Sequence, residues 1–411
     1  MRRKIFAVMA VSFLVVACST SSQQFEIKAT NPINLSRTDE TFSISIRKFS
    51  NIDPLFNVKN FSLFDGVTEL SYKVEEKENG ETNILAVANF EPKETKVITV
   101  KYGSGETEKV FTPRTYAGLS MKEGNVYYGK KFHGDHFVDV TDIKVPDIHT
   151  DHDALFRCEG PVWESEVVGY RFYLDWRNAT DIFGKKITGL VLKNVGATDT
   201  VAKDDSYHEM QNWGMDIFKV GNTLGIGSEA MMYESKVYRV EKRDSVFCKI
   251  GNDPVESTVE TKYMGWLVGD KKYNMDSRIS IDAGSRFTKN EIKIDNDADN
   301  FSTGLAKYEG CSFKVGDSQT GWNYISLWGK QTLAGSGDNL GIALLYPVAS
   351  LKEISEDEIN HIAVLKLVEG KTEYYFGAAW EQEPNGITTE EGFLNMLNEE
   401  VMKLNNPVVI E

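Results

Sequence analysis

From Phe25 to Phe111 apolar and polar residues alternate in short runs: FEIKA, TFSISIRKF, NFSLFDG, ELSYKVEE, TNILAVANF and KVITVKYG. A period of two sends successive side chains to opposite faces, so each run predicts a strand with one face on a core and the other in water. Breaks at Asp65-Gly66, Asn79-Gly80 and Gly103-Ser104-Gly105 separate the runs. Residues 25–112 therefore predict a small immunoglobulin-like antiparallel β-sandwich that ends near Thr112-Pro113-Arg114 and carries no candidate chemistry.

The remainder, 113–411, also reads as strands. VYRVEKRDSVFCKIG, PVESTVETKYMGW, SRISIDAG, WNYISLWGK, LGIALLYP, IAVLKLVEG and TEYYFGAAW are rich in aromatic and β-branched residues, with Gly, Asn and Asp between them. Strand-helix-strand alternation is missing, which argues against a parallel α/β sheet. The fold class expected is all-β: the small sandwich, then a large antiparallel sandwich. Only TTEEGFLNMLNEEVMKL (388–404) reads as a helix, with Phe393, Leu394, Leu397, Val401 and Leu404 on one face and Thr388 or Thr389 as the cap.

The first residues change the picture of location. Arg2, Arg3 and Lys4 precede an apolar run from Ile5 to Ala17, shorter than the ~20 residues a membrane-spanning helix needs, which predicts a cleaved export signal. Val15-Val16-Ala17-Cys18 resembles the lipobox of bacterial lipoproteins, in which the cysteine is lipidated, so residues 1–18 are expected to supply a membrane anchor at Cys18. The polar tether Ser-Thr-Ser-Ser-Gln-Gln that follows lacks an early acidic run, which favours a periplasm-facing anchor in the cell envelope over the cell surface. Cys158, Cys248 and Cys311 remain; one bridge among them is conceivable, a disulfide framework is not. The net charge of −15 and the lack of a basic cluster beyond the leader exclude nucleic acid as a partner.

Candidate chemistry concentrates between 133 and 220. In YRFYLDWR (170–177), strand alternation sends Tyr170, Phe172, Leu174 and Trp176 to a core, and Arg171, Tyr173, Asp175 and Arg177 to the other face. Two guanidiniums beside a phenol and a carboxylate suit a wall that grips an anion, although an Arg–Asp ladder between strands has the same composition. Five of the six histidines lie in 133–208: His133 and His136 in HGDH with Asp135, His149 and His152 in HTDH with Asp151 and Asp153, and His208. HGDH and HTDH also have metal-ligand spacing, so a calcium or zinc ion is a second reading of them and the metal stays unknown. Glu159, Glu164, Asp216, Lys219 and Glu381 add charged groups, and Trp163, Trp213 and Trp380 would form a stacking platform for sugar rings if exposed. GNTLGIGS lacks the dinucleotide-binding spacing.

The blocks EGPVWES…GYRFYLDWRNATDIFGKK, HTDH and YHE…WGMDIFKVG…LGIGS resemble a family of exported Bacteroidota proteins described only as a domain of unknown function and found beside polysaccharide-degrading enzymes. The resemblance covers roughly 113–411, plus a less specific N-terminal sandwich; Cys158 and Val162 depart from the pattern. The family is similar to the galactose-mutarotase-like supersandwich, which implies that fold for 113–411 and a carbohydrate ligand, but no catalytic assignment. The chemistry expected is β-elimination on a uronic-acid-containing oligosaccharide, by a lyase or dehydratase that needs no cofactor. Arg171 and Arg177 would neutralise the carboxylate, His208 or His152 would take the C5 proton, and Tyr207 or Tyr173 would protonate the leaving oxygen. Trp163, Glu164, Asp175, Trp213, Asp216, Lys219, Trp380 and Glu381 would bind the sugar. A glycoside hydrolase, with two carboxylates across the scissile bond, an epimerase-like enzyme and a non-catalytic sugar-binding lipoprotein are the alternatives.

Overall fold

Alternation in the strands around Trp322–Lys330 and Asn339–Pro347 sets the layer order of the larger unit. Ile325, Leu327, Leu340, Ile342, Leu344 and Tyr346 enter the main core, while Tyr324, Trp328, Ala343 and Leu345 join a separate cluster beneath the C-terminal helix Glu390–Asn405. Both strands belong to a nine-stranded antiparallel sheet running from Asp142–Lys144 at one edge to Ser312–Val315 at the other. This computed structural model describes residues 23–411 except 78, 104–108, 197–205, 296–297 and 336, so Cys18 and the expected export signal lie outside the described residues.

Two five-stranded antiparallel sheets contribute to the main core opposite the nine-stranded sheet. One orders Gly214–Asp216, Thr180–Lys185, Gly169–Phe172, Val162–Ser165 and Thr115–Gly118; the other contains Ile226–Tyr233 and Phe301–Ala306. A bridge between Thr180 and Gly225 joins them. The all-β expectation therefore holds, with a large antiparallel sandwich.

The N-terminal strands form a five-stranded and a three-stranded sheet around their own aromatic core, in which Phe25, Phe49, Phe56 and Phe61 meet edge to face. Two details depart from the sequence reading. TFSISIRKF is not one strand: it ends at Ser45 and a second helix, Ile46–Ile52, follows. The inward positions Phe42 and Ile44 are two apart, whereas Phe49 reaches the same core through a helical turn. The last strand, Val409–Ile410, returns to pair with Gln23–Thr30, so the chain's end completes the N-terminal sandwich. Buried Lys73 on that sandwich pairs with Glu256 of the nine-stranded sheet, and Glu256 also takes Arg278 at 2.8 Å. Cys158, Cys248 and Cys311 are free thiols, so the conceivable bridge is not formed.

Thr389 caps the C-terminal helix by accepting from the Gly392 amide, with Glu390 and Glu391 in the first turn as the sequence indicates. Phe393 is fully buried and stacked on Trp328 at 5.3 Å between centroids. Phe393→Ala should cost about 3–5 kcal/mol in denaturant unfolding; a loss below about 1 kcal/mol would show that the helix is not docked through this ring.

Candidate functional site

Arg171 sits at the centre of the site because of strand register. On Gly169–Phe172 it lies directly opposite Asp181 of the strand Thr180–Lys185, and Asp216 ends the next strand outward. Its guanidinium is 1% exposed and donates through Nη2 to Asp181 at 2.5 Å, Asp216 at 2.7 Å and the Tyr173 hydroxyl at 2.6 Å, and through Nη1 to the Tyr207 hydroxyl at 3.0 Å. The Arg–Asp ladder is thus present and extends to two phenols. A guanidinium so placed has no edge left at the surface, which corrects its expected role as a direct grip on substrate.

Beyond Phe172 the chain turns. Asp175 accepts from the Arg177 amide at 2.8 Å and from its Nε at 2.9 Å, and the Asn178 amide closes the turn on the Asp175 carbonyl. Strict alternation past residue 172 therefore fails: Tyr173 is buried with the core, and Trp176 leaves it to donate to Asp151 at 3.0 Å. Arg177 lies over the Tyr173 ring at 3.6 Å and reaches Glu159 at 3.1 Å. Glu159 in turn accepts from the His152 amide at 2.9 Å. Gly160 lets this loop close on the strand, since a Cβ there would stand 1.9 Å from the Phe172 carbonyl oxygen. His152, Ala154, Glu159 and Asn178 all adopt left-handed backbone, a concentration of strain around one cluster.

His208 completes the arrangement. Its Nδ1 faces Asp216 Oδ2 at 3.5 Å, its ring lies 4.5 Å from that of Tyr207, and 53% of its side chain is exposed. A buried carboxylate held by an arginine thus stands behind a partly exposed imidazole. Segments 149–152, 171–177 and 207–216 therefore converge on one cluster.

In this cluster carboxyls outnumber guanidiniums. Arg171 and Arg177 face Asp175, Asp181, Asp216 and Glu159. Burial, and then the charge of Asp216, push Asp181 up to about 6 against the pull of Arg171. Burial also raises Glu159, but Arg177 and Arg171 outweigh it and hold that carboxyl below its ordinary range. Asp151 is likewise raised by burial and brought below the ordinary range by hydrogen bonds led by the Trp176 indole. Burial keeps the Tyr173 phenol well above its usual range, and its hydroxyl donates to Asp181 at 2.6 Å.

Several expected binding residues lie elsewhere. Trp163 is sealed between sheets, donating to Thr288 at 3.0 Å, and Trp380 is sealed beneath Gly184, donating to Asp338 at 2.9 Å, so neither offers a face to sugar. Trp213 is half-buried against Phe183. Glu164 is fully buried with Lys185 at 2.7 Å and accepts from the Val191 and Leu192 amides, which makes it structural. Asp175 is fully buried behind Arg177, too deep to touch a ligand. Glu381 bonds to Asn339 outside the cluster, and the Lys219 side chain is exposed while its carbonyl accepts from Tyr308. The histidine pairs separate too: His149 is buried on Asp153 at 2.8 Å, His133 stacks on Tyr128, and His136 faces Glu123. Among the described residues no three His, Cys, Asp or Glu side chains group as metal ligands.

Sequence reasoning missed Asp181 and Glu229. Asp181 lies ten positions past Arg171 across a turn that the reading of one continuous strand concealed. Glu229, fully buried under the turn, accepts from Ser277 at 2.8 Å, Asn290 at 3.1 Å and Asn178 at 3.3 Å; a strand glutamate carries no signal of such burial.

A carboxyl with a raised folded-state pKa binds its proton more tightly folded than unfolded. Its contribution to stability is complete below the ordinary carboxylate pKa and is lost as pH rises through about 6. Asp181→Asn stays neutral, so its stability relative to the wild type should improve between acidic and slightly alkaline pH. Denaturant melts at both ends of that range measure this, and a constant difference would contradict a protonating Asp181.

A family model described as a domain of unknown function, DUF4861, matches residues 29–410, which takes in the N-terminal sandwich. The uncharacterised protein P7 of Formosa agariphila is 24% identical over 416 residues, covering 98% of this chain and 97% of its own. A glycosyl hydrolase family 38 protein of Enterococcus faecalis is similar at a TM-score of 0.42 and 8% identity, with 95% of this chain covered and 47% of that one. An alpha-mannosidase of the same organism gives 0.41 and 8%, with 94% and 46% covered. This chain thus spans about half the length of those two structures. By the match across nearly its whole length, the chain belongs to the DUF4861 family.

Proposed function

We propose that the protein is a carbohydrate-active enzyme that cleaves uronic-acid-containing oligosaccharides by β-elimination, as a lyase or dehydratase. The observation that carries this reading is the open imidazole of His208 against the buried Asp216–Arg171 pair. His208 takes the C5 proton through its outward nitrogen, and Asp216 stabilises the imidazolium. Tyr207 and Tyr173 are both buried with their hydroxyls on Arg171 and serve to position, so the His208 imidazolium returns its proton to the leaving oxygen. Arg171 and Arg177, both buried on carboxylates, act through the groups they hold, and the substrate carboxylate docks at the exposed imidazole of His152.

Elimination is favoured over hydrolysis by the state of the accessible carboxylates. A hydrolase needs a carboxylic acid with a raised pKa at the surface. Here the surface carboxyls Glu159 and Asp151 are both held low, while Asp181, Glu164 and Glu229, which burial raises, are all sealed. The choice of a sugar substrate rests on the resemblance of the motif blocks to exported proteins found beside polysaccharide-degrading enzymes. With it go a lipid anchor at Cys18, a periplasm-facing position and a mutarotase-like ancestry for the large sandwich. The acid and base come from the chain itself, so the reaction as written uses no cofactor.

Incubation with uronide oligosaccharides should generate the ultraviolet absorbance of an unsaturated uronate. His208→Ala should lower that rate by at least about a hundredfold while leaving the thermal melt in place. New reducing ends without unsaturation, or a fully active variant, would overturn the assignment.

A further inference from the structure

We propose that the hairpin Val126–Tyr128/Lys131–His133 is a distal subsite that stacks a sugar ring of the same anionic oligosaccharide, beyond the residue that reacts. The proposal deepens the uronide reading and rests on it. The hairpin turns through Gly129 and Lys130, both with positive φ, with Tyr128 opposite Lys131, the geometry of a rigid two-residue turn. Phe132 alone roots it in the main core.

The outermost ring has no core role. Tyr127 packs on Phe132 at 5.0 Å between centroids, but Tyr128 is 60% exposed, the most exposed aromatic side chain among the described residues. Tyr128 lies flat on His133, with centroids 3.7 Å apart and planes within 11°. A pinned, open ring of this kind offers a preorganised face to the apolar side of a sugar, with the phenol and imidazole edges ready for its hydroxyls. Lys130 and Lys131 are exposed beside it, and neither side chain has a carboxylate partner among the described residues. On a chain of net charge −15, two unmatched cations next to an aromatic face suit an anionic sugar.

Continuity with the candidate site selects this occupant. The Phe132 amide donates to the Asp153 carbonyl at 2.7 Å, and Asp153 holds the loop that carries Asp151 and His152. The hairpin therefore adjoins the loop that carries His152, and the proposal places on it a ring beyond the one that reacts.

Isothermal titration of His208→Ala with oligogalacturonates, from the disaccharide to the hexasaccharide, tests the proposal. Affinity should rise about fivefold to tenfold with length, and Tyr128→Ala should abolish the rise without changing disaccharide binding. No dependence on length, an equal loss at every length, or no loss at all overturns the subsite. Length-dependent binding lost in Tyr128→Ala, with no unsaturated product from the wild type, would keep the subsite and refute elimination; product formation indifferent to Tyr128 would do the reverse.

Discussion

One buried guanidinium organises the site. Arg171 is the only cation in contact with both Asp181 and Asp216 among the described residues, and both carboxylates come from strands of its own sheet. Removing a partner from such a group leaves an uncompensated charge, at a cost of about 3–5 kcal/mol. The same contacts fix two phenols and, through Asp216, the orientation of the His208 imidazole. Fold stability and site geometry therefore depend on one set of hydrogen bonds.

The arrangement separates sealed groups from open ones. Groups expected to grip a ligand, Arg171, Asp175 and Glu164, are sealed and matched by opposite charge. What reaches solvent is His208, His152 and the rim of Glu159 and Asp151, with strained backbone at His152 and Glu159. Strain of this kind persists only where surrounding contacts over-determine it. Here those contacts are Arg177 to Glu159, Glu159 to the His152 amide, and Asn178 to the buried Glu229. The open groups thus sit on a frame fixed by buried contacts.

Much of this was legible in the chain. Period-two runs gave the strands because one face of each is buried, and the C-terminal helix declared itself through Phe393, Leu397, Val401 and its threonine cap. The grouping of histidines and arginines in 133–208 pointed to the cluster. What stayed hidden depends on contacts between distant residues. Nothing local marks Trp163 and Trp380 as core rather than platform, because tryptophan suits both. The turn at Asp175–Asn178 was masked by the aromatic run before it, which concealed Asp181 as the partner of Arg171. The helix at Ile46 was masked in the same way by the strand that leads into it.

The central claim is that Asp216, held by Arg171, orients His208 as a base. Nitrogen NMR of the neutral His208 ring tests it most directly, since the tautomer is set by the group facing Nδ1. The account predicts a proton on Nδ1 in the wild type, with a shift toward the Nε2 tautomer in Asp216→Asn. A wild-type ring protonated on Nε2, or a tautomer indifferent to that substitution, would contradict it.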